Sequence, residues 1–194
     1  MPIGSPQWMY ASGDFTLDQS LRFDNNTVAN SVSNLQFTPS SAGNRKTSTF
    51  SCWYKKASNG HEDSQFLFSA HDSCSGRVGL QFNADDKLAV GMCGVGSFTL
   101  SDAQYRDPSA WLHIVWKFDT TQGVAANRSI LYVNGEAIPV TNPNSFSQDT
   151  DYNISNTTLH AIGGLSNAIT NGDYNIDGYL AEVHFIDGTA LTPS

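Results

Sequence analysis

Along this chain apolar residues alternate with polar ones at period two, and short clusters of Gly, Pro, Asn, Asp and Ser interrupt the alternation. Period two is the signature of half-buried strands, whose successive side chains point to opposite faces. The pattern predicts strands at Ser20–Asp24, Thr47–Lys55, Gln65–Ala70, Arg77–Asn83, Lys87–Cys93, Trp111–Asp119, Ser129–Val133, Thr158–Ile162 and Gly178–Ile186. Asn134-Gly135, between Ile130–Val133 and Glu136–Val140, is the strongest hairpin signal, because both central residues of a type I′ turn need positive φ. Helical periodicity is lacking throughout, and the best helical candidate, Ser101–Tyr105, is barely one turn long. The expectation is an all-β, two-sheet antiparallel sandwich.

Alternation also assigns faces. In Trp111–Asp119 the inward set is Leu112, Ile114, Trp116 and Phe118, and the outward set is Trp111, His113, Val115 and Lys117. In Gly178–Ile186 the same rule sends Tyr179, Ala181, Val183 and Phe185 to the core and Leu180, Glu182, His184 and Ile186 to solvent. Two segments depart from the pattern. Residues 1–15 carry Trp8, Met9, Tyr10 and Phe15 among Pro and Gly and read as an arm that packs against a neighbouring subunit, leaving 16–194 as the domain proper. Residues 139–156, rich in Asn, Ser, Thr and Asp, read as a long surface loop.

At 194 residues the chain is long enough for one core without a metal or disulfide staple. Its formal charge of -8 and its scattered basic residues oppose nucleic-acid binding, so Arg45-Lys46 and Lys55-Lys56 read as solvated strand ends. No apolar run is long enough to insert in a membrane, and the first residues lack the basic head and apolar stretch of a signal peptide. Cys52, Cys74 and Cys93 show no metal or redox spacing and allow at most one bridge. For that bridge Cys74 and Cys93 stand near one end of the expected Gly79–Phe82 and Lys87–Met92 hairpin, while the lack of an export signal favours reduced thiols.

Four segments together resemble the laminin G-like jelly rolls of the concanavalin A-like superfamily. They are Thr49-Phe50-Ser51-Cys52-Trp53-Tyr54-Lys55, the run Trp111 to Asp119, Leu131-Tyr132-Val133-Asn134-Gly135, and the closing run Gly178 to Thr192. The resemblance covers about Ser20 to Ser194 and implies a jelly-roll sandwich. A narrower likeness, carried by Gly43-Asn44-Arg45-Lys46-Thr47, the run Tyr105 to Trp111 and the run Gly178 to Gly188, is to virion structural proteins of tailed, especially marine, bacteriophages. It implies a tail-fibre, receptor-binding or head-decoration component on the virion surface, assembled in the host cytoplasm. Other virion proteins would be its partners, and homo-oligomerisation, commonly threefold, would follow.

Catalytic chemistry finds little support. Glucanases of this fold carry paired carboxylates at alternate positions of one strand, whereas Glu62, Glu136 and Glu182 stand in no such pattern. The histidines show no ligand spacing, and His113 and His184 read as structural residues on strand faces. Asp149-Thr150-Asp151-Tyr152-Asn153 opens like a calcium loop but has Ile154 where Gly is needed. The laminin G resemblance allows one Ca²⁺ at the sandwich rim, with Asp72, Asp151 and Asp173 as loop candidates; no other cofactor is implied. The expectation is therefore a non-enzymatic virion protein attached through residues 1–15. The alternative is a lectin-like module that binds host surface glycans by stacking them on Trp53 and Trp111, which alternate with polar neighbours.

Overall fold

The computed structural model describes residues 17–25, 33–71, 76–92, 98–142, 146–165 and 174–193. It is a two-sheet antiparallel sandwich. Strands run in the order β1 (Leu21–Phe23), β2 (Leu35–Phe37), β3 (Thr47–Lys56), β4 (Gln65–His71), β5 (Val78–Phe82), β6 (Lys87–Met92) and β7 (Phe98–Gln104). They continue as β8 (Leu112–Asp119), β9 (Ser129–Val133), β10 (Glu136–Ala137), β11 (Val140–Thr141), β12 (Leu159–Ile162) and β13 (Gly178–Asp187). One sheet has the order β1-β13-β3-β8-β9-β10 and the other β11-β7-β6-β5-β4-β12-β2. Every strand expected from the alternation is present. Phe98–Gln104, by contrast, is strand where Ser101–Tyr105 had offered a helical turn.

The inward faces meet in an aromatic core of Phe50, Tyr54, Phe68, Phe82, Trp116 and Phe118. Phe68 lies at its centre, 5.1 Å from the Phe50 ring and 5.3 Å from Phe185. Trp116 and Tyr54 carry polar atoms into the core, and each finds a partner. The Trp116 indole donates to Ser129 Oγ at 2.9 Å, and Tyr54 donates its hydroxyl to Asp177 O.

Three expectations need correction. The segment 139–156 is no solvated loop: Val140–Thr141 pairs with β7, and Phe146, Tyr152 and Ile154 are buried. Phe146 packs edge-on against Phe118 at 5.0 Å and Tyr152 against Phe118 at 5.8 Å, so the segment closes one end of the core. Lys56 is not a solvated strand end either, since the strand's parity sends it inward to an ion pair with Asp86. In β13, finally, Leu180 is in the core and Tyr179 is exposed, while Val183 and Phe185 pack inward as expected. The register against β3 shifts between Ala181 and His184, and Glu182 has φ 46°. Glu182 is thus the extra residue of a bulge, and a bulge reverses the parity of everything before it relative to everything after it.

The outer faces differ. On the seven-stranded sheet Ser69, Gly79, Ala89 and Ala161 are small and buried, and the Phe66 ring lies where a Gly79 side chain would stand. Ser69 Oγ donates to Gly164 O at 3.0 Å and Phe66 N donates to Tyr174 O at 3.0 Å, which anchors Gly164 and Tyr174 to β4. The outer face of the six-stranded sheet carries larger side chains, among them Trp53, His113, Tyr132 and Tyr179.

Candidate functional site

Parity puts Ser51, Trp53 and Lys55 on the outer face of β3, and His113, Val115 and Lys117 on that of β8. Register then decides which of them meet. Trp53 is directly opposite His113, and Ser51 is opposite both Val115 on β8 and His184 on β13. Paired side chains stand close enough to touch. The Trp53 and His113 rings stack at 5.0 Å with an interplanar angle of 24°, and Ser51 Oγ lies 3.1 Å from His113 Nε2. Trp111, two residues before His113, joins the same face.

The β9–β10 hairpin supplies the next wall. Asn134 and Gly135 have φ of 52° and 88°, the conformation that makes Asn-Gly a preferred tight turn. The turn is locked to the sheet at His113: its N–H donates to Asn134 Oδ1 at 2.9 Å, and Asn134 N–H donates to His113 O at 2.8 Å. The Asn134 carbonyl oxygen is thereby engaged, and the amide group remains as that side chain's donor. Residues 188–193 bring the last wall. Thr49 Oγ1 donates to Thr189 O at 2.7 Å and accepts from Leu191 N at 2.8 Å, which guides Pro193 to the rim.

Trp53, Trp111, His113, Asn134, Gly135 and Pro193 line one shallow cleft of about 430 Å³. Both tryptophans expected to stack a sugar are therefore in a single site. His113, read from the sequence as a structural residue, and the Asn134-Gly135 turn, read only as a hairpin, belong to it as well. Burial lowers the His113 pKa below the usual imidazole value, and the nearby His184 adds to that. The cleft thus combines flat apolar surfaces with an imidazole, a carboxamide and exposed turn backbone.

A second polar cluster occupies the sandwich rim beside β1. Asp177 pairs with Arg22 at 2.6 Å and accepts a hydrogen bond from Ser58 Oγ, which is itself 2.8 Å from His61 Nε2. His61 Nδ1 faces the Asn25 amide group at 3.2 Å. With Nδ1 accepting from Asn25, Nε2 carries the ring proton and donates to Ser58. The serine hydroxyl then gives its proton to Asp177, the reverse of what activates a nucleophile.

Among the described residues no group of three His, Cys, Asp or Glu is placed to hold a metal ion. Asp151 is exposed, while Asp72 and Asp173 lie outside the described residues. Also outside them are Trp8, Met9, Tyr10 and Phe15 of the arm, together with Cys74 and Cys93. Cys52 is buried in the core, and desolvation drives its thiol pKa far up. No described helix is long and apolar enough to cross a membrane.

A family model described as the concanavalin A-like lectin/glucanases superfamily matches residues 28–194. No curated protein matches. Among solved structures, the heptameric SAP-like pentraxin of Limulus polyphemus aligns with TM-score 0.62 and 16% identity over 90% of this chain and 77% of its own. The CBM40 domain of Ruminococcus gnavus IT-sialidase aligns at 0.56 with 14% identity, over 81% of this chain and 94% of that domain. Mouse laminin alpha1 domains LG4-5 align at 0.58 with 14% identity, over 89% and 43% respectively. At these identities the structures speak for the fold. None of them indicates a virion protein.

Proposed function

Because the chain belongs to the concanavalin A-like lectin/glucanases superfamily, we propose that it is a non-catalytic carbohydrate-binding domain whose site is the Trp53–Trp111 cleft. The observation that carries this reading is the convergence of both tryptophans, His113 and Asn134 on one cleft of the exposed sheet face. A sugar ring presents a C–H face that packs on an indole and hydroxyls that need donors and acceptors at its edge. The indoles supply the first, and His113 and the Asn134 amide the second. The lectin-like relatives support the same reading, since the CBM40 domain is also recorded with alpha2,3 sialyllactose.

Glycan-array screening followed by calorimetry tests it. Trp53→Ala and Trp111→Ala should each weaken binding at least tenfold while leaving the circular dichroism spectrum unchanged, because both side chains lie outside the core. Binding that survives both substitutions refutes the site.

A placement on a bacteriophage virion rests on the residue-level likeness in Gly43–Thr47, Tyr105–Trp111 and Gly178–Gly188. In that setting the domain would display the cleft to host glycans, with residues 1–15 attaching it to neighbouring subunits. Light scattering on the full chain and on a variant lacking residues 1–15 tests the attachment. A monomer in both cases removes it.

A further inference from the structure

We propose that the cleft, taken as the saccharide site of the preceding section, selects uncharged saccharides and releases them on acidification through His113. The six lining residues include no carboxylate, lysine or arginine. A sugar carboxylate or sulfate seated there would surrender hydration to indole, imidazole, carboxamide and proline without gaining a cation, and burying an unpaired charge is strongly unfavourable. A neutral pyranose meets no such penalty.

His113 is the one lining group that changes charge near neutrality. Its ring is stacked on Trp53, its Nε2 is held by Ser51 Oγ, and Nδ1 is its remaining polar atom. From β3 it is faced by Ser51 and Trp53, with Lys55 next on that face; Lys117 follows four residues along β8. From β13 come His184 and Glu182, which pair with each other at 3.5 Å, and from the hairpin comes Tyr132. Of these, His184 disfavours a second positive charge at His113. A neutral ligand that covers the imidazole removes more of its water and so prefers the uncharged ring. Ligand and proton then compete, and by linkage affinity falls as the proton binds. Below the His113 pKa the loss approaches tenfold per pH unit, the limit for one coupled proton. An anionic ligand would reverse the sign.

The test uses the full chain and calorimetric titration with lactose, cellobiose, N,N′-diacetylchitobiose and, as the charged probe, sialyllactose, at pH 7.5 and 5.0. Circular dichroism verifies folding at each pH. The expected result is binding of at least one neutral sugar at pH 7.5, clear weakening at pH 5.0, and a flattened pH dependence in His113→Gln. Preferential binding of sialyllactose that is lost in Trp53→Ala overturns the selectivity proposed here and leaves the cleft as a sugar site. Neutral-sugar affinity that holds or rises at pH 5.0 overturns the role of His113. Binding of none of the probes, or binding indifferent to Trp53→Ala, refutes the underlying site and this inference with it.

Discussion

Removing the charge of Asp86 should destabilise this domain by several kcal/mol. Asp86 and Lys56 are both 3% exposed and form an ion pair, with Arg106 Nε 3.0 Å from the other carboxylate oxygen. Lys56 Nζ also lies 4.7 Å from the centre of the Phe82 ring and 3.4 Å from Tyr105 O. Burial pushes the Asp86 pKa up, but hydrogen bonds and charge from Lys56 and the Arg106 contact outweigh it, and the net value is below the usual one. That contribution is present above the unfolded carboxylate pKa and is lost as pH falls through the folded one. Asp86→Asn keeps the volume and tolerates the positive φ of 60°, so it isolates the charge. Breaking one side of a buried pair costs about 3–5 kcal/mol. The lower end, about 3 kcal/mol, is expected here because the amide oxygen still accepts one hydrogen bond from Lys56. With a urea slope of about 2 kcal/mol/M the midpoint should fall by about 1.5 M. Lys56→Met instead removes the cation and leaves Asp86 with Arg106, and the double variant has no buried charge to compensate. The double variant should lie within about 1 kcal/mol of the wild type, and Lys56→Met, whose buried carboxylate keeps only the largely exposed Arg106, should fall between it and Asp86→Asn. Trp116 fluorescence during urea unfolding measures all three. A loss below 1 kcal/mol for Asp86→Asn, or an equal loss for Lys56→Met, refutes the reasoning.

Further outcomes follow from other parts of the sandwich. His61, His113 and His160 all have pKa values lowered, in each case chiefly by burial, so the unfolded chain takes up protons first as pH falls below about 6.5. The thermal midpoint should therefore drop between pH 7.5 and 5.0, and a flat or rising profile in calorimetry contradicts it. Gly178→Ala places a methyl group against the backbone carbonyl of Lys55 on the neighbouring strand and should cost about 2–3 kcal/mol by chemical denaturation. A variant within 0.5 kcal/mol of wild type would mean that β3 and β13 separate freely there. Phe68→Ala empties the centre of the aromatic core and should cost about 3–5 kcal/mol with no effect on saccharide affinity at temperatures where it stays folded.

The parts of the fold legible in the sequence were those that a local rule governs. Thr47–Lys56 and Leu112–Asp119 declare themselves because one face is buried and the next is not. The exposed edge strand Leu35–Phe37 is too short to show a period, and the polar second half of Phe98–Gln104 lies at the exposed end of its strand. Phe146, Tyr152 and Ile154 plug the core from a segment with no regular backbone, so their burial follows no spacing. The ion pair of Lys56 joins residues 30 positions apart. For the site, alternation singled out Trp53 and Trp111. Their meeting depends on the register that sets Trp53 opposite His113, and on hairpin locking at Asn134, both of which are tertiary.

The bulge in β13 bears on which changes of length the chain tolerates. On either side of it Leu180 and Val183 both point inward, separated by Ala181 and the extra Glu182. Loss of Glu182 would leave Leu180 inward, Ala181 outward, Val183 inward, His184 outward and Phe185 inward, which is an ordinary strand in register with β3. Loss of His184 instead would bring Phe185 to an outward position and Ile186 to an inward one. Within this strand Glu182 is thus the position where a codon deletion preserves the inside and the outside of the protein, and the positions after it are where a deletion turns the strand over.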